Sequence, residues 1–126
     1  MVDVGKQIQY WRSGAQEDWE VATNLVRDGK VRHGLFFAHL ALEKVLKAHV
    51  CRYTKDMAPR VHNLIRLSEL ADLSLDREMM DLLADMNQFH IEGRYPESGM
   101  SPPCQADAED YMERSGRVLQ WLIRQL

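Results

Sequence analysis

Apolar residues recur along most of this chain at steps of three and four residues, the spacing of one face of an α-helix. A first stripe predicts a helix from about Lys6 to Arg27, and Gly29 suits the left-handed position that follows a helix end. A second stripe predicts a helix from about Arg32 to Tyr53, with a further apolar strip on its flank formed by Phe36, Leu40 and Val50. A helix that is apolar on two sides is expected at the centre of a fold, or shared with a partner chain.

The second half of the chain continues the helical pattern with shorter segments. A short helix is predicted over Asn63 to Ala71, a longer one runs from a cap at Ser74 or Asp76 to Phe89, and the last begins near Pro103. Between Gly93 and Pro103 lies the one long loop, which contains three of the four prolines. No segment alternates like a strand. The pattern predicts an all-α fold, an up-and-down antiparallel four-helix bundle with a short extra helix, in a single domain over residues 1–126.

Composition narrows the class of protein. Of 126 residues, 45% are apolar and 28% charged, which argues against disorder. No apolar run approaches the roughly 20 residues that cross a bilayer, and no signal peptide is seen. Two cysteines are too few for a disulfide framework. These features predict a cytoplasmic protein that does not bind membranes, and the net charge of −3 argues against general nucleic-acid binding.

Four polar residues are the first candidates for a binding site. His39, Glu43 and Lys47 stand four apart and therefore stack along one side of the second helix. Such a strip can hold a phosphate or act in acid–base chemistry, whereas the favoured reading is a helix-stabilising Glu43–Lys47 pair beside a histidine near the core edge. His62 is a candidate general base, but a histidine here more often closes a loop by hydrogen bonding to backbone or to a central-helix side chain.

The long loop supplies a second candidate pair, Arg94 and Tyr95. A guanidinium binds phosphate or carboxylate in a bidentate manner, and a phenol can stack on a base. The structural alternative, weighed equally, is that Arg94 ties the loop to an acidic helix end such as Glu92 or Glu97. His62 and His90 lie near acidic residues, but no recognised metal-ligand spacing, phosphate-binding loop or nucleophile motif occurs. No metal or cofactor is therefore predicted.

The run His39-Leu40-Ala41-Leu42-Glu43-Lys44-Val45-Leu46-Lys47-Ala48 resembles the signature of the HEPN domain family. Three further features fall in that family's order: Trp11 with small residues in the first helix, His62-Asn63-Leu64 after the central helix, and Arg94-Tyr95-Pro96 after the fourth. The resemblance implies a five-helix bundle that forms homodimers. It also implies a cytoplasmic prokaryotic protein that partners a small nucleotidyltransferase, often as a toxin–antitoxin pair, and that binds a nucleotide.

One branch of the family consists of metal-independent endoribonucleases with a late Arg-x(4–6)-His motif. This sequence departs from that branch, because no histidine follows Arg94. The spacings Arg27 to His33 and Arg32 to His39 match the motif but lie in the wrong part of the chain. The leading hypothesis is therefore a binding module rather than an enzyme, with a displaced ribonuclease site and a purely structural dimerisation module as the alternatives.

Overall fold

Helices make up nearly all of the regular structure in the computed structural model, which describes residues 2–90 and 101–126. The five α-helices are α1 (Val4–Arg27), α2 (Val31–Thr54), α3 (Leu64–Leu70), α4 (Arg77–Met86) and α5 (Gln105–Arg124). A short 3-10 helix, Asn87–Phe89, continues α4. Within the described ranges there is no strand. The predicted all-α fold with a short extra helix is confirmed.

Local sequence signals explain where the helices begin and turn. The carboxylate of Asp3 accepts from the N–H of Lys6, and Asp76 accepts from Met79 at 2.8 Å, so Asp76 rather than Ser74 caps α4. Gly29 has a φ of +81°, as expected after α1. Only three residues separate α1 from α2, so the two helices run back along each other.

The central position of α2 is confirmed by its neighbours. It contacts α1, α3, the 3-10 helix and α5, and most of its residues are buried. Gly34 permits the close approach of α1, because a Cβ there would lie 2.4 Å from Val26 Cγ2 and 3.2 Å from the Ala22 carbonyl oxygen. Of the flanking strip, Val50 is buried within the chain, whereas Phe36 and Leu40 remain half-buried. The strip is thus only partly available to a partner.

The end of α4 differs from the prediction in a way that shapes the site described below. The α-helix stops at Met86 instead of continuing to Phe89. At this point the side chain of Asn87 reaches the start of α3, where its Oδ1 accepts the N–H of Leu64 at 2.8 Å. This contact places His62, just before α3, against His90, just after the 3-10 helix. No helix in the described part of the chain is long and apolar enough to span a bilayer.

Candidate functional site

A buried carboxylate on α2 organises a group of polar side chains that we call the Glu43 cluster. Its members are His39, Glu43, Lys47, His62 and His90. The first three come from successive turns of α2, and the two other histidines come from the segments at either end of the α3–α4 unit. The cluster therefore joins the central helix to two connections that are distant in sequence.

Glu43 has more than one cationic or donor partner. Its Oε2 accepts from Lys47 Nζ at 3.0 Å, and both of its oxygens lie 3.1 Å from His62 Nδ1. Only 4% of Glu43 and 6% of Lys47 is exposed. The predicted pair is present, but it lies inside the protein rather than on a solvated helix face. The expected bond from His62 to a central-helix side chain is also present.

His39 is the most deeply enclosed member of the cluster. It has no exposed surface, and within residues 2–90 and 101–126 its polar neighbours include the Glu43 carboxylate and the backbone of His62, but neither ring nitrogen makes a hydrogen bond of normal geometry. Its Nδ1 lies 3.8 Å from Glu43 Oε1. Burial lowers the pKa of His39 from 6.5 to about 4, although the Glu43 carboxylate opposes that shift. The ring is therefore neutral near pH 7 and lies in the core, not at its edge.

His62 is the member that a ligand can reach. Its side chain is 53% exposed, and its ring stacks on His90 with centroids 4.5 Å apart and planes 19° apart. Because Nδ1 faces Glu43, the opposite nitrogen, Nε2, is the one available for other contacts. The His90 ring also lies 5.3 Å from the His39 ring, so the three imidazoles form a continuous group.

Side chains of α1 cover the cluster from the other side. Lys47 Nζ lies 5.2 Å from the centroid of the Trp11 ring, a cation–π contact that holds the ammonium in an apolar setting. One turn earlier on α2, Lys44 forms an ion pair with Asp18 of α1 at 2.8 Å. These two contacts fix the faces of α1 and α2 that enclose Glu43.

The structure thus brings together four of the six residues that the sequence nominated. Arg94 and Tyr95 lie outside the described residues. Nothing in the sequence pattern indicates that His90 lies beside α2. The only signal for His90 was its position just beyond the last apolar residue of a helix, which does not reveal the tertiary partner.

A second concave region lies elsewhere on the protein. A groove of about 1030 Å³ runs between α4 and α5, with Trp19 and Trp121 among acidic side chains and three arginines. It includes no member of the Glu43 cluster, and all of its charged side chains except Arg114 are exposed. The cluster is therefore the better candidate site, because it joins burial, a perturbed histidine and an accessible imidazole.

Comparisons with known proteins agree with this architecture. A family model described as HEPN domain matches residues 8–126. TT1696 from Thermus thermophilus shares the fold with a TM-score of 0.79 at 19% identity, over 95% of this chain and 98% of that chain. ST0689, described as an archaeal HEPN homologue, has a TM-score of 0.72 at 19% identity, over 94% and 96% of the two chains. No curated protein sequence matches significantly.

Proposed function

This chain belongs to the HEPN domain family, and from that premise we propose that it is a binding module. In this proposal two copies pair, the pair partners a small nucleotidyltransferase, and a nucleotide binds at the exposed edge of the Glu43 cluster. The single observation that carries the nucleotide site is the half-exposed His62, whose Nδ1 lies 3.1 Å from the buried Glu43 carboxylate.

The His62–Glu43 contact supports anion binding in a specific way. The carboxylate on Nδ1 fixes the ring orientation and leaves Nε2 on the side away from Glu43, where it can meet a ligand. Phosphate oxygens are suitable acceptors for a hydrogen bond from an imidazole N–H. The stacked rings of His62 and His90 present a flat surface beside this donor, on which a base can lie.

Pairing of two copies is supported by the surface of α2. Phe36 and Leu40 remain half-buried on the helix that is otherwise the most enclosed in the described chain. Phe36 contacts Phe37 edge to face with centroids 5.7 Å apart, so the aromatic group is held in place. Apolar side chains on a rigid helix can be covered in a symmetric, self-complementary contact.

Thermal shift with nucleotides, in the presence of a chelator, tests the ligand. We expect a nucleotide to raise the melting temperature of the wild-type chain and of His33→Ala, which removes an exposed histidine elsewhere on α2. The shift should be lost in His62→Ala. Sedimentation should show a dimer, and the dimer should co-purify with its nucleotidyltransferase. A monomer that binds neither that partner nor a nucleotide contradicts the proposal.

A metal-independent endoribonuclease is the second candidate, and the same histidine favours it. A carboxylate-held imidazole with an accessible Nε2 has the arrangement of a general base. His39 cannot take this role because it has no exposed surface. Single-stranded RNA should then be cut in the presence of a chelator, and His62→Ala should stop the cut. Absence of cleavage across several RNAs would remove this candidate.

A further inference from the structure

We infer that His39, Glu43 and His90 form a binding site for a divalent transition-metal ion of the zinc class. The three side chains offer two imidazole nitrogens and one carboxylate oxygen, and these ligand atoms all lie within 4.8 Å of one another. The inference concerns a ligand different from the proposed nucleotide and does not depend on it.

The state of His39 is the strongest support. An imidazole without exposed surface and without a hydrogen bond of normal geometry in the described ranges is costly to bury. A metal ion on one of its nitrogens would use the lone pair that the fold leaves in the interior.

Glu43 is placed to serve both a metal and its present partners. Oε1 is the oxygen nearer to His39, at 3.8 Å from Nδ1. Oε2 accepts from Lys47 at 3.0 Å, and both oxygens lie 3.1 Å from His62 Nδ1. One oxygen can therefore ligate while the other keeps its donors, which is how outer-shell groups orient a ligating carboxylate.

The donor set selects the class of ion. Imidazoles and one carboxylate suit zinc and similar transition metals, whereas magnesium and calcium prefer oxygen ligands only. Tetrahedral zinc with bonds of about 2.0 Å needs ligand atoms about 3.3 Å apart. The group must therefore contract by about 1.5 Å at most, and His90 can supply that movement because it ends a 3-10 helix rather than lying within an α-helix. Three protein ligands leave one position for a small molecule.

The sequence does not reveal this site, because its ligands follow no motif. His39 and Glu43 share one face of α2, but His90 belongs to a connection that only the packing of α4 and the contact from Asn87 bring near. The absence of a known spacing led to the prediction that no metal is bound, and the geometry now gives reason to test that prediction.

Zinc binding by the chelator-stripped chain, in a Cys104→Ser background that removes the exposed thiol, tests the inference. Equilibrium dialysis should show one Zn²⁺ per chain. Both Glu43→Gln and His90→Ala should weaken binding at least about tenfold, while the control His33→Ala should bind like the parent. Co²⁺ should give the visible spectrum of nitrogen and oxygen ligation in the parent and in His33→Ala, but not in Glu43→Gln or His90→Ala.

Circular dichroism and the melting temperature of each metal-free variant show whether it folds, and so distinguish a misfolded variant from one that has lost only the metal site. His90→Ala should fold, because His90 is only partly buried and lies at the end of an element. The inference is overturned if the parent takes up no Zn²⁺. It is equally overturned if folded His90→Ala keeps the parent's affinity, which would place the ion at other groups.

Discussion

Replacing Glu43 with leucine should remove about 3–5 kcal/mol from the free energy of unfolding. The reason is that Lys47 is only 6% exposed and its Nζ lies 3.0 Å from Glu43 Oε2, so the substitution leaves an ammonium inside the protein without its counter-charge. The cation–π contact of Lys47 with Trp11 is present in the parent as well, so it does not offset this loss.

A solvated ion pair would give a much smaller loss in the free energy of unfolding. If the Glu43–Lys47 pair were solvated, its removal would cost about 0.3–0.5 kcal/mol, as for other pairs four residues apart on a helix. The chain offers a matched control in Arg66 and Glu69 on α3, which are 3.4 Å apart and each 59% exposed. Glu69→Ala should therefore lose only a few tenths of a kcal/mol.

Urea unfolding followed by circular dichroism at pH 7 measures both losses, provided that the m-value is unchanged. The double variant Glu43→Leu, Lys47→Met should recover most of the stability lost in Glu43→Leu, because it removes the unpaired charge and keeps apolar volume. A loss for Glu43→Leu no greater than that for Glu69→Ala would refute the reasoning, since it would mean that Lys47 reaches solvent without difficulty.

Three further outcomes follow from single contacts. Burial lowers the pKa of His39 from 6.5 to about 4, so the free energy of unfolding should fall by about 3 kcal/mol as the pH drops from 6.5 to 4 and the ring takes up a proton on unfolding. Urea unfolding of the metal-free chain at several pH values should show this dependence, and His39→Gln should reduce it. Gly34→Ala should destabilise by about 1–3 kcal/mol because its Cβ meets the backbone of α1, whereas Gly14→Ala, which meets only a flexible lysine, should be neutral or stabilising in the same assay. Burial raises the pKa of the Cys51 thiol, so a thiol reagent should label Cys104 at once and Cys51 only on unfolding, and fast labelling of both would contradict the packing.

The helices could be predicted because their signals are local. The apolar period, the left-handed Gly29 and the cap at Asp76, one of the two candidates for that position, all act within a few residues. The end of α4 could not be predicted in the same way, because the side chain of Asn87 bonds to the start of α3 rather than to its own helix. That partner is remote in sequence.

The burial of the Glu43 cluster was missed for a related reason. Periodicity assigns polar residues four apart to a solvated face, and His39, Glu43 and Lys47 have that spacing. They are enclosed because Trp11 covers them from α1 and because the connections that carry His62 and His90 close over them. A helix that is surrounded by other elements has no solvated face for such residues. The apolar pattern of one helix does not reveal how many other elements pack around it.

Stability alone gives little reason for the chain to keep these charges inside. Well-packed apolar residues usually serve a core as well as a buried ion pair or better, so the double variant Glu43→Leu, Lys47→Met is expected to fold about as stably as the parent. The same variant removes the carboxylate that contacts His62 and, in our inference, ligates the metal. If the double variant folds but binds neither zinc nor nucleotide, the buried charges of the Glu43 cluster are needed for ligand binding. If it binds both ligands like the parent, these charges have no role in binding.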